Sequence, residues 1–184
     1  MVSHQQKIQH LFLRAAFGET PEKISALTAK SLPVIVDELF ASSAQYKEIN
    51  YLPYPIDENR ETKGPGGLQL VAMFIKSFGE MEDLNAEWIF KMTHTKAVLR
   101  EKMTFFWHNH FATSVPWGYP MQVQNNLLRK HALGKFGEML HAIAKDPAMI
   151  MYLNNQQNKK DHPNENFARE VMELFTLGEG HYTE

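Results

Sequence analysis

The chain has 184 residues, no cysteine and a net charge of -2, the size of one domain with a core of its own. Without cysteine it has no disulfides, thiolate metal centres or thiol catalysis. Its near-neutral balance excludes broad attraction to nucleic acid or anionic lipid. The 43% hydrophobic and 22% charged content is that of a folded soluble domain, and no apolar run approaches the roughly 20 residues of a membrane span. The N-terminus, Met1 to Lys7, lacks the apolar core of an export signal, so the chain as written is expected to be cytoplasmic.

In chain order, Ile8, Leu11, Phe12, Ala15 and Ala16 recur at helical spacing and stop at Phe17-Gly18, where the glycine suits a C-terminal cap. Thr20-Pro21-Glu22 predicts the next helix start, with threonine as N-cap and proline in the first turn. Ser31-Leu32-Pro33 predicts another, carried by Val34, Ile35, Leu39 and Phe40. Residues 50–67 break the pattern as a long Pro/Gly-rich connection, with Gly64-Pro65-Gly66-Gly67 as an irregular turn. Those glycines lack the lysine and the preceding strand of a phosphate-binding loop.

The helical period returns at Leu68 and runs through Phe78; a second long segment spans about Asn85 to Trp107. Shorter helices are predicted for Gln122–Leu133, Phe136–Ala144 and Pro147–Leu153, the last capped by Asp146. The closing helix is expected from about Pro163 to Leu177, ending at Gly178. The expectation is a single all-α domain over residues 1–184, a multi-helix, bundle-like fold.

Several phrases stand out for specificity. They are His10-Leu11-Phe12-Leu13-Arg14, Leu99-Arg100-Glu101-Lys102-Met103-Thr104 leading to Trp107-His108-Asn109-His110-Phe111, and Arg129-Lys130-His131-Ala132-Leu133-Gly134. Asp146-Pro147-Ala148-Met149 and the stretch from His162 to Gly178, with His181-Tyr182-Thr183-Glu184, complete the set. In this order they resemble the bacterial "domain of unknown function 1800" family. The resemblance implies that the chain is the N-terminal part of a longer family domain. It also implies, from the habit of many relatives, export and a sulfatase-like exported partner; the missing signal departs from that pattern.

Two polar knots are candidates for chemistry. In a continuous helix His108 and His110 lie about 200° apart and cannot share an ion. In a turning segment they face one way, and a carboxylate from elsewhere would complete a shell. Where the helix ends decides between these, and a late end puts His108 on the face of Glu101. In the closing helix, Phe167, Val171, Leu174 and Phe175 form the expected core arc, while Asn166, Glu170 and Glu173 form a polar stripe. Arg169 stands four residues from both Glu165 and Glu173.

The functional expectation is a site where these segments meet. Its metal ligands would be His108, His110, Glu170 and Glu173, with zinc, manganese or iron the divalent metals that suit a shell without sulfur. Asn164, Glu165, Arg169 and Glu170 would carry acid–base work, in hydrolytic or redox chemistry. The alternative is a non-catalytic scaffold or interaction protein, in which the same residues form a buried hydrogen-bond network. The basic run Arg129-Lys130-His131 is expected on a solvated face, His10 and Arg14 as a buried anchor, and the methionines as core filler.

Overall fold

The computed structural model describes residues 1–53 and 67–182, the side chains of positions 69 and 70 excepted. Among the described residues the fold is all-helical: α1 (His4–Ala15), α2 (Pro21–Leu27), α3 (Leu32–Ala44), α4 (Gly67–His94) and α5 (Val98–His110). Then come α6 (Gly118–His131), α7 (Phe136–Ile143), α8 (Pro147–Tyr152) and α9 (Asn166–Glu170), the last continuing as a π-helical turn over Val171–Thr176. No described helix is long and apolar enough to cross a membrane. The expected turn at Gly64-Pro65-Gly66 and the final Thr183-Glu184 lie outside the described residues.

The helix starts follow from local chemistry. Ser3 and Gln6 form a reciprocal capping box at α1, Thr20 Oγ1 accepts from the Lys23 amide, and Asp146 accepts from the Met149 amide. Gly18, with φ +101°, closes α1 by donating its N–H to the Phe12 carbonyl, a backbone conformation that favours glycine.

Two boundaries differ from expectation. Helix α4 runs unbroken through Gly79 to His94, and the chain breaks at residues 95–97 instead of continuing to Trp107. The continuous helix lets Leu84 and Trp88 reach one apolar cluster, which offsets the roughly 1 kcal/mol that a helical glycine costs. At the break the Thr95 hydroxyl accepts from the Ala97 amide, a local bond that competes with helix continuation.

The closing helix starts at Asn166, later than Pro163, because the side-chain Oδ1 of Asn164 accepts from the Asn166 amide. After Glu170 its register widens: the Leu177 amide and the Thr176 hydroxyl reach back five residues, to the Met172 and Val171 carbonyls. The wider turn rotates Leu174 outward, leaving it 65% exposed, while Phe175 is buried. Phe167 and Val171 pack on the cluster that buries Phe175.

Three apolar clusters hold the helices together. Ile8 and Phe12 of α1, Ile24 of α2 and Ile35 and Leu39 of α3 meet Leu99 of α5. Leu84 and Trp88 of α4 meet Met121 of α6 and Ala148 of α8. Phe111 and Leu128 meet Met139 and Ile143 of α7, Met149 of α8 and Phe175. Met139 and Met149 are thus the core filler the sequence suggests. Helices α5 and α6 join the clusters.

Helix α6 also ties down the irregular segment before α4. The Gln122 amide exchanges two hydrogen bonds with the Leu52 backbone, at 2.8 and 2.9 Å, and Asn126 does the same with Ile49, at 2.9 and 2.7 Å. Two side chains one turn apart thus act as a strand would, satisfying backbone groups that burial would leave bare. Contact there is tight: a Cβ at Gly118 would stand 2.7 Å from Leu52 Cδ1 and 3.0 Å from Glu80 Cβ. Gly118→Ala is therefore expected to destabilise the fold by about 1–3 kcal/mol, read as a lower thermal unfolding midpoint. An unchanged midpoint would show that this crowding is relieved without cost.

Candidate functional site

The buried polar centre lies between α5 and α6. Glu101 and Arg129 are both fully buried and meet in a two-pronged ion pair, Nε to Oε1 at 2.7 Å and Nη2 to Oε2 at 3.0 Å. The Trp88 indole N–H donates to Glu101 Oε2 at 3.1 Å. Asn126 and Asn125, three and four residues before Arg129, take two more of its donors at 2.6 and 2.7 Å. Arg100 extends the network, donating to the carbonyls of Ser43 and Arg129 at 2.8 Å each and lying over the Tyr46 ring. The expected solvated face is thus corrected: Lys130 is exposed, but Arg129 is not, because Glu101 offers it a matched carboxylate.

Helix α5 ends late, at His110, so the two histidines diverge. His108 shares the face of Glu101 and meets Trp88 edge-on, ring centres 5.1 Å apart. It lines a cavity of about 240 Å³ with Trp88, Asn85, Asn125, Ser114 and Met121. Burial holds its pKa below the ordinary histidine value, so the ring is neutral at pH 7. Its Nδ1 is buried without a hydrogen-bond partner among the described residues.

His110 turns the other way, into Trp107, Phe111, Phe136 and Phe175. Its Nε2 bonds the Phe175 carbonyl at 3.0 Å; a carbonyl only accepts, so Nε2 carries the proton. The histidine segment therefore does meet the closing helix, but through backbone and aromatic faces. His108, His110, Glu170 and Glu173 do not assemble, and among the described residues no three His, Asp or Glu side chains gather as a metal site.

The carboxylates of the closing helix surround Arg169 instead, with Glu165, Glu170 and Glu173 at 3.5, 3.6 and 4.0 Å. The Asn166 side chain accepts from Arg169 at 3.2 Å, and the Tyr182 hydroxyl donates to Glu173 at 2.5 Å. Glu165, Arg169 and Glu170 of the expected acid–base set thus lie together, partly exposed, where ion pairs contribute little. Asn164 turns away, donating to the Asn154 carbonyl at 3.0 Å. His10 and Arg14 are exposed on α1, which corrects their reading as a buried anchor. Trp107 donates to the Ala132 carbonyl, and it is Trp88 that walls the cavity.

Asp146 is a second buried acid. Its Oδ2 accepts from the Met149 amide at 2.9 Å and from Gln124 at 3.2 Å, while Oδ1 has no partner among the described residues. Burial outweighs these bonds and pushes its pKa up to about 6.

Sequence reasoning missed the roles of Glu101, Arg129, Trp88, Asn125 and Asn126. A signal was present: asparagines three and four residues before an arginine, and an acidic residue one heptad before His108. Sequence comparison agrees with the motif reading. The family model described as "protein of unknown function (DUF1800)" matches residues 10–184. No curated protein and no solved structure matches the chain. The chain belongs to the DUF1800 family.

Removing one partner of the buried pair, by Glu101→Ala, is expected to cost about 3–5 kcal/mol in denaturant unfolding, because Arg129 is left uncompensated. A loss under about 1 kcal/mol, the range of an exposed pair, would contradict the burial. Asp146 supplies a pH test. Its pKa is higher folded than unfolded, so the wild type loses stability as pH rises from about 4 to 6. Asp146→Asn keeps a capping oxygen and removes this titration. Its stability relative to wild type should rise by about 3 kcal/mol at most between pH 4 and 7; a flat difference would refute the shift.

Proposed function

We propose that this member of the DUF1800 family acts as a helical scaffold and interaction domain, its two polar knots setting how the helices pack. The observation that carries this reading is that the strongest polar groups are already satisfied by one another. Glu101 is held by Arg129 and Trp88, His110 is bound to the Phe175 carbonyl, and the closing helix carboxylates surround Arg169. A metal-dependent hydrolytic or redox centre needs several unpaired ligands facing one point.

A scaffold also needs a face to offer. Leu68, Val71, Ile75 and Phe78 of α4 follow three- and four-residue steps and are 89%, 56%, 69% and 68% exposed. A contiguous exposed apolar stripe of this kind marks protein contact. The partner class to try first is the sulfatase-like exported protein that the family resemblance implies.

The scaffold reading is tested by two measurements, one of metal content and one of stability. Untagged wild type and a His108→Ala/Glu170→Ala double variant are analysed by metal mass spectrometry, and His110→Ala by unfolding and hydrogen exchange. The expected outcome is no stoichiometric metal in either preparation. His110→Ala should lose about 1–2 kcal/mol, with faster exchange across residues 166–176. Near-stoichiometric metal in the wild type, lost in the double variant, would replace the scaffold by a metal centre.

A further inference from the structure

We propose that the cavity between α4, α5 and α6 binds a small uncharged molecule with an apolar body and a carbonyl head, of about the size of benzamide. The volume sets the scale. An apolar protein cavity of about 150 Å³ holds benzene, and this one, at about 240 Å³, has room for a ring and a short head group.

The walls set the polarity. Leu84, Val115 and Met121 are buried apolar side chains, and the Trp88 indole beside them is held in place by its bond to Glu101. They form a fixed apolar half. Among the described residues no charged side chain lines the cavity, and the nearby Arg129 is already neutralised by Glu101. A charged ligand would lose its hydration without gaining a counter-charge.

The polar half supplies two fixed donors beside the Ser114 hydroxyl and the Asn85 amide, which can also accept. Asn125 Oδ1 is taken by Arg129, which fixes the amide and leaves Nδ2 as the group this lining residue has to offer. His108 Nδ1 is buried without a hydrogen-bond partner among the described residues. A buried orphan N–H is rarer than a buried orphan acceptor, so the proton resides on Nε2, making the ring a second donor. Two neutral donors match the two lone pairs of one carbonyl oxygen. Asn85, exposed on α4 and yet lining the cavity, marks its mouth.

The test is a titration of the ¹⁵N-labelled protein with benzamide, following the Trp88 indole and Asn125 side-chain amide signals. Toluene and benzoate serve as probes without the head and with a charge. Saturable shifts at both signals are expected, with toluene and benzoate each about tenfold weaker or more. Asn85→Trp, a change at an exposed position, should close the mouth and abolish the shifts. His108→Phe, which keeps the ring and removes the donor, should weaken binding about tenfold. Absence of saturation, equal affinity for toluene or benzoate, or benzamide binding unchanged in both variants would overturn the assignment.

Discussion

The buried pair between Glu101 and Arg129 is the constraint from which most of the arrangement follows. Two full charges with no exposure to water are tolerable only if almost every donor and lone pair is met. Meeting them requires Trp88 from α4 and Asn125 and Asn126 from α6 to stand at fixed points around α5. Burial of the apolar clusters provides the driving force for folding, and the ion pair is accommodated only where its partners stand within reach.

The same asparagines carry this constraint outward. Asn126 Oδ1 accepts from Arg129 at 2.6 Å and from the Ile49 amide at 2.9 Å, so the irregular segment before α4 is tied to the charged centre through one atom. Asn125 carries the centre to the cavity, and Arg100 carries it to Ser43 at the end of α3. The network thus connects helices that the three apolar clusters hold separately. Asp146 is a looser second centre, where one carboxylate oxygen is unmatched and burial raises the pKa to about 6.

The fate of the two histidines was decided by one helix boundary. With α5 continuing to His110, residues two apart must diverge. His108 joins the Glu101 face and the cavity, and His110 joins the aromatic cluster that seats the closing helix. The π-helical turn after Glu170 acts in a similar way on the far side. It seats Phe175 in that cluster and offers its carbonyl to His110, at the cost of exposing Leu174.

Several features were legible in the sequence because they depend on neighbours along the chain. Helical class, the Thr20 and Asp146 caps, the Gly18 stop and the core methionines all follow from spacings of one to four residues. The family motifs likewise marked the segments that carry Glu101, His108, Arg129 and Arg169. The tertiary structure alone decided which of these polar residues would meet. Arg129 is 28 residues from Glu101, and His110 is 65 from Phe175, separations over which local pattern carries no information. A basic run looks solvated until a buried carboxylate is placed opposite it, and a carboxylate helix looks like a ligand set until its own arginine folds back on it. Charge pairing is settled by which groups packing excludes from water together, and that is a property of the assembled helices.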